Sequence, residues 1–459
     1  MALVRRVYEL IVGDTMELKE ILEQLLQISD PGAMTELFQR VHPIDIALAM
    51  EEYDDELEAL ISLLSVEELA LLLEQASEEL QIEIVEMWEP RQAVEVFSLM
   101  DSDDIADILG ELPEGRKKDI LDLMKASESQ QLKMLLGYDE RSAGGIMTTR
   151  YISLRSSYDT GQALQKIKQI GPKTEIIETL YIVNAKNELL GTADLRDILA
   201  EPEGTVLEDI MDTNFISVYP DEDQEEVSLI VSKYDLNAIP VVNRRGAILG
   251  IITIDDIVDV IVEEQTEDFL QISGVSADET YDSPIAASLK RRLPWLLLNL
   301  LTASLAAFVV ASFSDVIEQV VILAAAMPVV AGLGGNAGSQ TLSVIIRALA
   351  LGEISLEDDW HYIFKQSLMG VLQGLAIGSI AGLVLGIFSG NYYLGLIILL
   401  AMIINQLIAC LFGFLIPLVL EHLKIDPAVS SSIFLTALTD VFGFLAFLGL
   451  AKAFLPLLL

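Results

Sequence analysis

Apolar residues recur at helical spacing through the first third of the chain, as in Leu57, Leu60, Ile61 and Leu64, and again in Ile105, Ile108 and Leu109. Breaks fall at Asp30-Pro31-Gly32, Glu89-Pro90 and Leu112-Pro113-Glu114-Gly115. Residues 1–137 therefore predict a domain of short helices with polar outer faces, an all-α superhelical bundle or solenoid. The pattern then changes to a repeat of mixed α/β type. Gly145-Ile146-Met147-Thr148 opens one unit, and Asp209-Ile210-Met211-Asp212 opens the next, 64 residues later. Each continues with a strand (Tyr151–Leu154; Phe215–Tyr219), a helix, and a buried strand (Tyr181-Ile182-Val183; Ile239-Pro240-Val241-Val242). Leu189-Leu190-Gly191-Thr192 then matches Ile248-Leu249-Gly250-Ile251, and a helix opened by acids closes each unit, at Asp194–Leu199 and Asp255–Val262. The units are expected over 138–204 and 205–262.

A polar segment follows, expected as a connecting helix over 263–290. From 291 to 459 the polar face disappears. Five apolar stretches, near 293–313, 319–349, 364–389, 394–420 and 431–458, are each long enough to cross about 30 Å of hydrocarbon. Loop charges orient them. Lys290, Arg291 and Arg292 precede the first span, and Arg347, Lys365 and Lys424 mark further inner loops. Ser312–Glu318 and Ser389–Gly395 hold no Lys or Arg and fit the outside, which puts the C-terminus outside; Lys452 is a misfit that can snorkel. Met1 to Leu26 is amphipathic, with charges throughout, unlike a secretory signal. The domains before the spans are thus expected in the cytoplasm of a multi-pass protein of the cell (plasma or inner) membrane, surrounded by lipid.

Charge sharpens this division. The chain carries 28 Lys and Arg against 70 Asp and Glu; from Arg291 onward there are 6 and 9, leaving 22 and 61 before it. A segment with a net charge of −39 repels itself unless counter-ions arrive. Nucleic acid is excluded as a partner by its phosphates, whereas divalent cations are natural partners of crowded carboxylates. The single cysteine, Cys410, lies in an apolar run and provides no disulfide.

Three groups of residues carry candidate chemistry. The second span contains Pro328 and a glycine-rich run, Gly332-Leu333-Gly334-Gly335-Asn336-Ala337-Gly338-Ser339-Gln340. Either it is a broken helix whose freed carbonyls, with Gly335, Asn336, Ser339 and Gln340, line a cation path, or its small residues serve close helix packing. Asp440, flanked by Thr436 and Thr439, is the one acid deep inside a span and a functional candidate by its cost alone. Asp426, in Ile425-Asp426-Pro427-Ala428, fits the inner mouth or a cap of the last helix. The third group is cytosolic. It comprises the ladder Asp255-Asp256, Asp259, Glu263-Glu264 and Glu267-Asp268; the acids Asp221, Glu222, Asp223, Glu225, Glu226 and Asp235; and Asp101, Asp103, Asp104 and Asp107. A charge run of this kind is either a metal sensor or a solvated face.

The duplicated β-α-β-β-α unit resembles a CBS pair, which implies regulation and an adenine nucleotide such as ATP as ligand. His42-Pro43-Ile44-Asp45-Ile46-Ala47, Tyr138–Thr149, Thr266-Glu267-Asp268, Gly334–Gln340, Ile425–Ala428 and Leu438-Thr439-Asp440-Val441 carry a further likeness that extends over nearly the whole chain: it resembles the MgtE family of magnesium channels. It implies a homodimer whose five-helix subunits line one pore, with the connecting segment as a plug. It also implies that Asp440 holds a hydrated Mg²⁺, helped by carbonyls near Gly332 and Thr436. Asp103, Asp107, Asp223, Glu225, Asp235, Asp256, Asp259, Glu264, Glu267 and Asp268 match acids that bind sensor Mg²⁺. Three positions depart from the pattern: Ser339 where an Asn is common, Ile433 where a Pro is expected, and Leu71 where a sensor acid is expected.

The expected function is Mg²⁺ import through a pore closed by Mg²⁺ on an acidic sensor, Mg²⁺ being both transported and regulatory. Alternatives are transport of Co²⁺ or Mn²⁺, and a nucleotide-sensing regulator anchored in the membrane. Softer metals favour His or Cys ligands, which the pore run lacks. An enzyme is not expected: an intramembrane zinc protease needs a His-Glu-x-x-His helix, and His42, His361 and His422 stand far apart.

Overall fold

The computed structural model describes residues 21, 25, 31–51, 57–171, 174, 176–276, 279, 283–351, 353–354, 360–429 and 431–459. Most of the amphipathic opening over Met1–Leu26, and Asp30 of the first expected break, lie outside them. The chain forms two compact units, Met1–Ile261 and Val262–Leu459.

From Pro31 onward, the described residues of the first unit form the short helices α1 (Pro31–Arg40), α2 (Pro43–Glu51), α3 (Leu57–Ile61), α4 (Val66–Leu73), α5 (Glu78–Met87), α6 (Pro90–Phe97), α7 (Ser102–Glu111), α8 (Glu114–Leu123) and α9 (Ala126–Leu135). Local chemistry sets their ends. Ser65 and Glu68 form a capping box at the start of α4, Ser77 caps α5, and Pro90 occupies the first turn of α6. The first repeat follows as β1 (Ser153–Arg155), α10 (Thr160–Ile170), β2 (Thr179–Val183), β3 (Leu189–Asp194) and α11 (Leu195–Ala200). After α12 (Leu207–Ile210), the second gives α13 (Gln224–Tyr234), β4 (Ala238–Val242) and β5 (Ile248–Thr253). β1 runs parallel to β2, and β2–β3 and β4–β5 are antiparallel. The expected strand at Phe215–Tyr219 is reduced to a single parallel bridge, Val218 to Val241.

The glycines of the two matched segments have a shared cause. A Cβ on Gly191 would lie 2.6 Å from the Asp212 carbonyl oxygen, and one on Gly250 would lie 2.6 Å from that of Thr148. The lead-in of each repeat thus bridges to the strand of the other, Thr148 to Ile251 and Thr192 to Asp212, and only glycine leaves room. The helical domain and the second repeat share one apolar core, in which Leu109 and Leu112 join Met147, Val227, Ile239 and Ile257. The first repeat keeps a core of its own around Ile152, Leu154, Leu180 and Ile182.

The helix closing the second repeat, α14 (Ile254–Ile272), continues into the polar segment. It does not reach residue 290. At its end Gly274, with φ +72°, places its N–H on the Gln271 carbonyl while Val275 bonds back to Leu270, a glycine C-cap that stops the helix. Pro284 then opens α15 (Ile285–Ala311), whose first turns carry Lys290, Arg291 and Arg292. The expected single connecting helix is therefore the end of one helix and the start of another.

After α16 (Ser314–Gln319) come α17 (Ile322–Ala350), α18 (Trp360–Ser389), α19 (Tyr392–His422), α20 (Ser431–Ala453) and the short α21 (Leu455–Leu458). Among the described residues, α15, α17, α18, α19 and α20 are long and apolar enough to cross a membrane. The last span ends at Ala453, because Pro456 starts a new turn. Lys452 rests 5.6 Å from the Phe313 ring centre, a cation–π contact that accommodates it. A regular stripe of tight small-residue packing lies on α18. Gly370, Gly374, Gly378 and Gly382 recur every four residues against the backbone and side chains of α19, where a Cβ on Gly382 would meet the Gly395 carbonyl at 2.4 Å.

Candidate functional site

The second span is not broken. Pro328 and the glycine run lie inside one continuous helix, α17, because intrahelical hydrogen bonding is retained where no water competes for the backbone. Two faces of it divide the work that the sequence pooled. Gly334, Ala337, Gly338 and Thr341 are buried, and a Cβ on Gly338 would lie 2.9 Å from Leu435 of α20. Gly332, Gly335, Asn336 and Ser339 fall on another face, and a Cβ at Gly332 or Gly335 meets no atom of the chain within 4 Å. Asn336 and Gln340 are exposed. Glycine at 332 and 335 uncovers the helix carbonyls there rather than freeing them.

Asp440 is half-buried on α20. The hydroxyl of the preceding residue, Thr439, donates to the Thr436 carbonyl at 3.0 Å, and the Thr436 hydroxyl donates to the Ser432 carbonyl at 2.8 Å. Placing one carboxylate in hydrocarbon costs roughly 3 kcal/mol. Asp426 is exposed, and its carboxylate accepts from the Ala428 N–H at 2.8 Å. It closes the turn at 426–429 rather than capping α20, which starts at Ser431.

The cytosolic acids separate into groups. On α14, burial and the neighbouring charges of Asp426, Glu264 and Glu267 push the Asp268 carboxyl up to about 6. These four acids, drawn from two distant parts of the sequence, therefore share one patch of field. In the first unit, Glu74, Asp101 and Asp104 bring carboxylate oxygens within 4.8 Å of one another. Burial, followed by Asp103, Glu74, Asp101 and Asp256, pushes Asp104 up to about 9. Burial and Asp101 also raise Glu74. Asp101 is raised by burial, while the Arg150 guanidinium, 3.0 Å away, pulls it back. Asp256 on α14 accepts from the Thr253 hydroxyl at 2.6 Å, and burial lifts it to about 6 against that bond. A pair of unit charges at this separation repels by roughly 3 kcal/mol at an effective dielectric near 20. A proton or a divalent cation relieves it, and a hard oxygen-ligated ion suits the donor set.

The remaining sequence candidates fall elsewhere. Asp103 is buried on α7 beside the cluster, and Asp107 is exposed on the same helix. Asp223 caps α13 by accepting from the Glu225 N–H at 2.9 Å. Asp235, with φ +51°, ends that helix and is exposed, as is Asp259 on α14. Glu74 was not among the candidates. It follows α4 directly, one turn beyond Leu71, and supplies the cluster with an acid from the stretch where the expected one is lacking.

Comparison with known proteins gives three profile matches. Residues 327–450 match MgtE, a divalent cation transporter family; residues 41–141 match the MgtE intracellular N domain; and residues 207–263 match a CBS domain. The magnesium transporter MgtE of Bacillus subtilis (strain 168) is 34% identical over 421 residues, 91% of this chain and 93% of that one. The magnesium transporter MgtE of Thermus thermophilus is 32% identical over 446 residues, 95% of this chain and 98% of that one. Among solved structures, the cytosolic domain of the Mg²⁺ channel MgtE in complex with ATP is 31% identical, with a TM-score of 0.49, covering 52% of this chain and 98% of that one.

Proposed function

Since the chain belongs to the MgtE family of magnesium transporters, with an intracellular N domain, CBS repeats and five membrane helices, and is a transporter rather than an enzyme, we propose that it imports hydrated Mg²⁺ through a pore shared by two subunits. The observation that carries this reading is Asp440, the one acid deep in an apolar span, in a unit whose helix α17 turns uncovered glycines and Asn336 to open space. Mg²⁺ gives up its waters reluctantly and prefers octahedral oxygen. One carboxylate per subunit, with the carbonyls at Gly332 and Thr436, can hold the ion through its own waters. Binding that weak lets the ion leave again, so the membrane potential alone can drive entry.

The cytosolic acids act as the brake. When Mg²⁺ is scarce, Glu74, Asp101, Asp103, Asp107, Asp256 and Asp259 crowd one another around Asp104, which holds a proton, and Glu264, Glu267 and Asp268 repel Asp426. Asp223, Glu225 and Asp235 belong to the same acidic field. When Mg²⁺ rises, it bridges these carboxylates and stabilises the state that offers more paired ligands, the closed one. The segment from Glu264 through the start of α15 is then the plug at the inner mouth. The N-terminal domains face the cytoplasm and the C-terminus lies outside. ATP at the CBS pair is carried into this reading by the repeat resemblance alone.

Purified full-length protein in liposomes with a Mg²⁺-sensitive dye tests both halves. Asp440→Ala should lose flux to the empty-liposome level while still inserting and dimerising; normal flux would sink the pore assignment. The quadruple neutralisation of Asp256, Asp259, Glu264 and Glu267 should leave a pore that cytosolic Mg²⁺ no longer closes. Inhibition at the wild-type concentration would reduce those acids to a solvated face.

A further inference from the structure

Asn405 and Gln406 stand side by side in α19 and are both fully buried. An amide in hydrocarbon is expensive unless it is bonded. Their N–H groups go to α17: Asn405 Nδ2 donates to the Val330 carbonyl at 2.7 Å, and Gln406 Nε2 donates to the Leu333 carbonyl at 3.0 Å. These two carbonyls flank Gly332 in the sequence. The Asn405 oxygen has no hydrogen-bond partner among the described residues. The amide instead lies between two glycines of different helices. A Cβ on Gly334 of α17 would fall 2.2 Å from Asn405 Nδ2, and one on Gly443 of α20 would fall 2.7 Å from its Oδ1. Gly443 is one turn from Asp440. A single side chain therefore separates and joins the helix of the uncovered carbonyls and the helix of the acid.

We propose that Asn405 is the positioning residue of the ion path. Its amide is the spacer that fixes α17 against α20, with Gly334 and Gly443 as the notches that receive it, and so sets which hydrated cation fits between Asp440 and the α17 carbonyls. The inference rests on the pore reading above. Its physical basis is that a site holding an ion through water has no direct ligand bonds to define its size, so the packing behind the site must. An error of a few tenths of an ångström then favours an ion of another radius.

The test compares full-length variants in liposomes, reading the ratio of Mg²⁺ to Ca²⁺ flux per inserted, dimeric protein. Asn405→Ser, Asn405→Ala and Gly443→Ala should each shift that ratio at least fivefold. The double variant Asn405→Ser with Gly443→Ala, which shrinks the spacer as it fills the notch, should move it back toward wild type. Asn405→Asp should lose Mg²⁺ flux at least tenfold, since it sets a carboxylate against the Val330 carbonyl. A wild-type ratio in Asn405→Ser and Asn405→Ala overturns the proposal, as does loss of insertion in every variant including Asn405→Ser, which would make the residue structural only. If Asp440→Ala conducts normally, the pore reading fails instead; if it is silent while the Asn405 variants keep the wild-type ratio, only the present inference fails.

Discussion

The two units handle charge in opposite ways. In the first, Glu74, Asp101 and Asp104 are held within 4.8 Å of one another, with burial raising all three above their ordinary range and neighbouring acids adding to it. In the second, the apolar helices hold one deep acid, Asp440, and the proposed path runs past neutral groups, Asn336 and the glycines Gly332 and Gly335, whose Cβ positions are open. Under the proposed function, the difference follows from what each must do with a cation. A sensor has to retain the ion at resting concentration, so several carboxylates share it. A pore has to release the ion, so it keeps the charge low and lets water do the binding.

The sharpest way to break this contrast is at Gly335. Its Cβ position is empty within the chain, so Gly335→Leu should insert and dimerise normally. If that face borders the ion path, Mg²⁺ flux should fall at least tenfold, measured per folded dimer in liposomes. An unchanged rate would return the face to lipid or packing. On the sensor side, the corresponding change is Asp104→Asn. With its carboxyl pushed up to about 9, Asp104 already holds its proton at pH 7 when metal is absent. The variant should therefore match wild type in thermal stability under chelator. In Mg²⁺ it lacks a ligand, so the midpoint for protease protection should rise about tenfold. A variant destabilised without metal but unaltered with it would reverse the assignment.

Much of this contrast was legible in the sequence, and what was not has physical causes. The repeats could be read because Gly191 and Gly250 answer the same steric demand, the crossing of one repeat's lead-in over the other's strand. Asp440 could be read because an acid in an apolar run is costly wherever the helices lie. The glycine run could be read as special but not divided, since which glycines face helix α20 and which face open space is a property of packing. Its continuity as a helix also reversed the expected break. Glu74 could not be found: an acid after a helix is ordinary, and only the fold brings Asp101 and Asp104 within 4.8 Å of it. Asn405 and Gln406 did carry a signal, two adjacent amides in a 31-residue apolar helix. That signal is weaker than a charge, because burying an amide costs less than burying a carboxylate.

A smaller effect in the first unit is read by pH. Asp104 and Asp256 have folded-state values near 9 and 6, above those of unfolded carboxylates. The folded first unit therefore binds more protons than the unfolded chain, and metal-free stability should fall as pH rises from about 4 toward 9. Mg²⁺ must displace the Asp104 proton, so its affinity should tighten with pH, by up to tenfold between pH 7 and 8 if one proton leaves per ion. Titration calorimetry in buffers of different ionisation heat counts that proton. Release of none would mean the ion binds away from Asp104.

The finest test concerns Arg150. Its guanidinium lies 3.0 Å from Asp101 and also donates to the Leu99 carbonyl at 3.1 Å, so it is fixed at the edge of the acid cluster as an internal cation. It lowers the net charge that an entering Mg²⁺ meets, and it holds one carboxylate the ion would use. Both partners keep about a quarter of their side-chain surface in water, 28% and 27%, so screening limits the pair to about 1 kcal/mol or less. Arg150→Gln keeps a hydrogen bond to Leu99 within reach and removes the charge. The Mg²⁺ midpoint for protease protection should then fall two- to fivefold, the pore closing at lower Mg²⁺, while the maximal flux of the open state stays at wild type. Raising the ionic strength should shrink the shift, because exposed charge pairs weaken beyond about 8 Å of screening length at physiological salt. A midpoint that rises instead would mean that Arg150 holds the closed arrangement together rather than competing with the ion for Asp101.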